Sequence, residues 1–149
     1  MKMPKIWDAG RKEELLTRLE KLRPETKGQW GQFTPARMLA HCAAGMEAGL
    51  GDLPVKPKKT PFNFFPMNKL VIYWMPWPKN APTAPELLLQ NEPNFAEAKA
   101  RFQKSLDRFV SAGPGYPHAP HAAFGKISAN DWAALTYRHI DHHWRQFGL

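Results

Sequence analysis

Cys42 is the only cysteine in the 149-residue chain, which excludes an internal disulfide and suits a reducing compartment. Acid is short as well. Thirteen Asp and Glu against 21 Lys and Arg leave a formal charge of +8. The opening MKMPKIWDAGRKEELL holds no apolar run of signal-peptide length, so a cytoplasmic location is the expectation. The most apolar stretch, Phe62 to Trp77, is too short to span a bilayer and is interrupted by Pro66, Lys69 and Pro76. A charge of this sign suits nucleic acid, anionic lipid or an acidic small molecule, and equally a solvated basic surface. No nucleic-acid motif accompanies it, and the basic residues are dispersed apart from Lys56, Lys58 and Lys59. Neither nucleic acid nor a membrane is therefore expected as a partner. A membrane-surface role is the weaker alternative, resting on the charge and the Phe62–Trp77 patch.

What is present describes a globular chain. The hydrophobic share is 43%, with six Trp, three Tyr and nine Phe, and the length fits one domain over residues 1–149. Of fifteen prolines, twelve lie between Pro54 and Pro93 or between Pro114 and Pro120, marking two structured connections. Between them the pattern is helical. Asp8 is placed to cap a helix over 8–22, with Leu15, Leu16, Leu19 and Leu22 on one face and Pro24 beyond its end. Thr34 followed by Pro35 starts a second helix over 34–50. It is apolar or small nearly all round, so it is expected to be the most buried. Two turns of helix are expected around Met67 to Trp74. A third long helix runs over 94–112, with Phe95, Ala98, Phe102, Leu106 and Phe109 on its stripe. The last runs over 128–146 behind a capping-box-like Ser128 and Asp131. Four long helices and one long Pro-rich connection between the second and third predict an all-α, four-helix bundle. Many aromatics in a helical protein also favour a homodimer.

The final helix carries the chemistry. At about 100° per residue, Trp132, Leu135, Thr136, His139, His143 and Gln146 share a stripe, while Arg138, Asp141 and Arg145 face away. Two imidazoles and an amide thus face the interior, where polar groups need partners. His139 and His143 are one turn apart, a spacing that lets both rings reach one metal ion. Two histidines hydrogen-bonded to backbone or water satisfy the same pattern. His41, the one ring nitrogen of the second helix, reads alone as a satisfied core residue; beside the pair it becomes a third ligand candidate. His142 lies off the stripe and is not expected in the ligand set, though it suits a neighbouring contact or the pocket edge. Gln146 is placed to orient a ligand or a bound water.

The remaining candidates have plainer readings. Cys42 points about 100° away from its neighbour His41 and reads as a small core residue. Arg145 suits a surface ion pair. His118 and His121 sit in a Gly/Pro-rich loop that suggests exposure, with substrate contact the alternative. Trp30, Trp74, Trp77 and Trp132 read as core or pocket wall. No Glu follows a candidate histidine as in the H-E-x-x-H metalloproteases, so that hydrolytic chemistry is unsupported.

The closing HIDHHWRQFGL resembles the last helix of the DinB-like superfamily of four-helix metalloproteins, where a histidine, two residues and a His-His pair precede Arg and Gln. KGQWGQFTPARMLAHCAAGMEAGLG is similar to the second-helix motif of that superfamily's uncharacterised branch, with its Trp-Gly turn, Thr-Pro cap and Met-Leu-Ala-His run. AFGKIS and NAPTAPELL resemble that branch too. The resemblance implies His41, His139 and His143 as ligands of one divalent metal ion. Zinc or nickel come first, with iron and manganese also compatible with imidazole. Better-known relatives use the metal to activate a low-molecular-weight thiol, such as bacillithiol or mycothiol, for transfer or isomerisation. Two classes follow: a metal-dependent transferase acting with a small thiol, or a non-enzymatic metal-binding or stress-associated bundle.

Overall fold

The computed structural model describes residues 3–79 and 91–149. Among them are five α-helices and no strand: α1 (Arg11–Leu19), α2 (Pro35–Leu50), α3 (Met67–Tyr73), α4 (Phe95–Ala112) and α5 (Ala129–Gln146), with a 3-10 turn at Pro61–Asn63. Side chains start three of them. The Thr34 hydroxyl accepts from the Arg37 amide with Pro35 behind it, Asn94 accepts from the Glu97 amide, and Ser128 and Asp131 form a reciprocal capping box. Gly51, at φ 82°, ends α2 in the left-handed region that a side chain disfavours.

The start of α1 departs from expectation. Asp8 does not cap it; Gly10, at φ 80°, stands at the N-cap with no side-chain bond. Asp8 instead closes the preceding turn, its carboxylate accepting from the Lys5 amide at 2.8 Å and its carbonyl from the Arg11 amide at 3.1 Å. A glycine able to reverse the chain lets the helix begin two residues later than an Asp8 cap suggests. At the other end, tighter turns carry Leu22 into the core beyond the last helical residue.

One apolar cluster draws on α1, α2, α4 and α5, with Leu15, Met38, Phe102 and Trp144 fully buried in it. α2 makes its broadest contact with α4. Gly49 is part of the reason: a Cβ there would stand 3.0 Å from the Trp132 ring and 3.1 Å from Phe109. At the rim of that contact Arg101 grips Glu47 with two bonds of 2.9 and 2.6 Å, and Ser105 adds a third at 3.1 Å. Burial alone would raise the Glu47 pKa, but the Arg101 and Ser105 bonds hold it below its ordinary value. α1 lies on α5 through Arg18, which bonds both Glu14 and Asp141 at 2.8 Å, and through the Trp144 indole, which donates to the Leu15 carbonyl at 2.9 Å.

The two Pro-rich connections bind each other and the head of α5. Lys58 N donates to the Ala122 carbonyl at 2.8 Å, and Thr60 Oγ1 and Asn63 Nδ2 both donate to the Ala123 carbonyl, at 2.7 and 3.0 Å. Ile72, Phe124, Ala134 and Leu135 form a second small apolar cluster beneath them. Asp131 is the polar node. Buried, it accepts from Lys69, from the Tyr73 hydroxyl at 2.7 Å and from the Ser128 amide at 3.2 Å. Burial pushes its pKa up, yet these donors outweigh that and hold it below the usual carboxylate range. Its stabilising contribution is therefore complete above the unfolded value near 3.9 and lost as the pH falls through the folded one. Asp131→Ala removes a helix cap and leaves the Lys69 ammonium and the Tyr73 hydroxyl without an acceptor. It should lower the urea unfolding free energy by about 2–3 kcal/mol at neutral pH. A loss below about 0.5 kcal/mol, the scale of an ordinary surface change, would reject this account of the node.

Candidate metal centre

α2 and α5 cross so that His41 meets His139 and His143. His41 projects from the middle of an almost wholly buried helix, and His139 and His143 stand one turn apart on α5. The Nε2 atoms of His41 and His139 are 2.9 Å apart, and one ring nitrogen from each of the three residues lies within 4.8 Å of the others. Donors held tetrahedrally at 2.0–2.1 Å from an ion would sit about 3.3 Å apart, so the spacing observed fits a single zinc-like ion. The three rings meet edge to face, with centroids 4.8–4.9 Å apart. Gly45 lies beside the His139 ring: a Cβ there would stand in ordinary contact with it, 3.6 Å from both Nδ1 and Cε1.

Hydrogen bonding decides which nitrogen His143 can offer. Its Nδ1 lies 2.8 Å from Gln146 Oε1, an acceptor, so Nδ1 carries the hydrogen and Nε2 keeps its lone pair. The other end of the Gln146 amide donates to the Trp30 carbonyl at 3.0 Å, which fixes the amide's orientation. A backbone carbonyl, an amide and an imidazole thus form one relay of the kind that orients metal-binding histidines.

His139 and His143 are held in the uncharged form. Burial, then the neighbouring imidazoles, lowers His139 well below its ordinary pKa. Burial and the proximity of His41 bring His143 down to about 3, with the Gln146 bond pulling weakly the other way. Neutral imidazole is the form that binds a cation. Aromatic rings close the surroundings. Phe33 lies 5.2 Å from the His41 ring and 5.7 Å from His143, and Trp77 lies 6.3 Å from His139.

The other expected residues separate cleanly. His142 is half-buried between Trp30 and Trp77, at ring distances of 5.7 and 6.0 Å, outside the group of three. Cys42 is fully buried with Sγ 3.9 Å from Met38 Sδ, and burial pushes its thiol pKa far up. Arg145 pairs with Asp141 at 3.0 Å on the surface. Trp132 is core, while Trp30 and Trp77 flank the histidines. Trp74 is neither core nor wall: it is 73% exposed, because the inner side of so short a helix is taken by Asn68 and Ile72. The NAPTAPELL segment lies outside the described residues.

Two contributors escaped the sequence reading. Phe33 precedes the Thr34 cap and gave no periodic signal. Arg138, expected to face away, donates to the carbonyls of Val71 and Ile72 at 2.7 and 2.9 Å and to that of Met75, and stacks 4.8 Å over Trp77. It satisfies the open carbonyls at the end of α3 and so fixes the ring beside His139.

His118 and His121 are not loose surface groups. Both pack against Trp132, at ring distances of 6.3 and 5.1 Å. His121 Nδ1 accepts from the Ala123 amide at 3.0 Å, and burial brings its pKa from 6.5 to about 4. The unfolded chain therefore takes up this proton first, so the contribution is complete above about pH 6.5 and drains away toward pH 4. Within that window the wild-type unfolding free energy should fall by up to about 1.4 kcal/mol per pH unit more steeply than that of His121→Gln. Parallel stability curves for the two proteins would contradict it.

Comparison with known proteins gives a family without a stated activity. No curated protein and no solved structure matches the chain. A family model does, over residues 7–148, a span that holds α1, α2, α5 and all three clustered histidines: the chain belongs to the family described as protein of unknown function (DUF1569).

Proposed function

We propose that this protein binds a divalent metal ion through His41, His139 and His143 and works as a metal-dependent transferase acting on a small thiol. The observation that carries the reading is the convergence of three ring nitrogens within 4.8 Å, one of the rings held by Gln146. The resemblance to the DinB-like metalloproteins supports the thiol. Three histidine donors suit zinc or nickel and leave a tetrahedral ion one position for an exogenous group. When bound, such an ion lowers the pKa of a thiol or water toward neutrality and so supplies an anionic nucleophile.

The chain's own groups have separate tasks. Gln146 keeps the hydrogen of His143 on Nδ1. Burial keeps His139 and His143 uncharged, and Phe33 and Trp77 pack beside the site. His142, between two tryptophans, lines the approach.

Purified protein reconstituted with zinc or nickel should hold about one ion per chain by elemental analysis, with a raised melting temperature. His139→Ala and His143→Ala should lose both the ion and the thermal shift, whereas His142→Ala should keep them. Gln146→Ala should weaken affinity by about 10–100-fold while leaving a site. Loss of metal in His142→Ala alone would overturn the ligand assignment. Stoichiometric metal without turnover in a screen of thiols against electrophiles would favour the non-enzymatic bundle.

A further inference from the structure

The segment that walls the histidines on its inner side presents a different face outward. Phe64 is 71% exposed, Phe65 78% and Trp74 73%, and Met67, Leu70 and Met75 join them. On α3 the outward positions 67, 70 and 74 recur at helical spacing, opposite the buried Asn68 and Ile72. This is a concentration of exposed apolar side chains on one short segment, and such patches mark interaction sites. It is also held firmly from behind, by Arg138 on the carbonyls of Val71, Ile72 and Met75, and by Lys69 and Tyr73 on Asp131.

Charge narrows the partner. From Leu53 to Lys79 the chain carries five lysines and no acidic residue. Lys58 and Lys59, just before the aromatic segment, are exposed, and so is Lys79 just after it. A second copy of the chain docked by this patch would bring the same lysines face to face. An anionic lipid surface reverses that balance: lysines meet headgroups, and Trp and Phe side chains enter the interfacial layer where aromatic rings are favoured. No helix among the described residues is long and apolar enough to cross a membrane, so the contact is peripheral. We infer that Phe64, Phe65, Leu70 and Trp74, flanked by Lys58 and Lys59, form a docking surface for anionic membranes. The inference is independent of the metal centre.

Co-sedimentation with vesicles tests it. The intact chain should bind phosphatidylcholine vesicles containing about 30% phosphatidylglycerol at least about tenfold more tightly than pure phosphatidylcholine. Binding should weaken sharply between about 0.05 and about 0.5 M salt. Lys58→Glu with Lys59→Glu should cost about tenfold or more. Phe64→Ser with Phe65→Ser and Trp74→Ser should cost as much, while the circular dichroism and melting temperature stay near wild type because these side chains are exposed. No binding to the anionic vesicles at low salt would overturn the proposal, and so would an unchanged affinity in the aromatic variant. A concentration-dependent dimer in sedimentation velocity, abolished by the aromatic substitutions, would also overturn it and assign the patch to a second copy.

Discussion

Burying three imidazoles at one point costs free energy unless each ring nitrogen has a partner and no ring is charged. That constraint, posed where α2 meets α5, organises the middle of the molecule. α2 is apolar around His41, and burial holds His139 and His143 uncharged. Beyond His143 the amide of Gln146 has to be held by something rigid. The Trp30 carbonyl supplies this, which ties the connection between α1 and α2 into the site. The Gln29 amide donates to the Gln146 carbonyl at 2.7 Å and doubles the tie.

The Pro-rich connections serve the same end from the other side. A loop rich in proline has fewer backbone donors and less freedom to lose on ordering, so a few well-placed bonds hold it. Here the carbonyls of Ala122 and Ala123 accept from Lys58, Thr60 and Asn63, joining the two connections into one layer. Ala119 N reaches the Gly49 carbonyl at 3.0 Å and its carbonyl accepts from the Trp132 indole at 2.9 Å, so the second loop also seals the end of α2. Asp131 then locks α3 against the head of α5. The aromatic wall beside His139 is in this sense a product of loop chemistry.

Signals local to one element were readable from the residues. Caps at Thr34 and Ser128 and the stripe of α4 fall where propensity and periodicity put them. The juxtaposition of His41 with His139 and His143 was approachable because polar groups on interior stripes demand a common explanation. Harder to read was anything that depends on two faces at once. α5 buries a second stripe, Ala133, Tyr137, Ile140 and Trp144, against the main core, so its histidine stripe faces the site and not the largest apolar cluster. One periodicity suggests one buried side, and that is why Arg138 seemed to point to solvent. The exposure of Trp74 followed from the same limit, since α3 has only seven residues and one side to spend on packing. The late start of α1 turned on a single glycine whose left-handed backbone outweighs the capping preference of Asp8.

Cys42 bears on where a thiol would come from. It is next to His41 in sequence, yet the helical turn between neighbours sends its sulfur to Met38 and the apolar core. Burial keeps that thiol protonated and out of reach, so it cannot act as a nucleophile or compete as a ligand in place of imidazole. With no second cysteine in the chain, the protein brings no thiolate of its own to the three histidines. Any sulfur that takes part in the proposed transfer must enter from solution. Beside the three histidines, His142 packs between Trp30 and Trp77, with Lys79 over the Trp30 ring and Arg138 over that of Trp77.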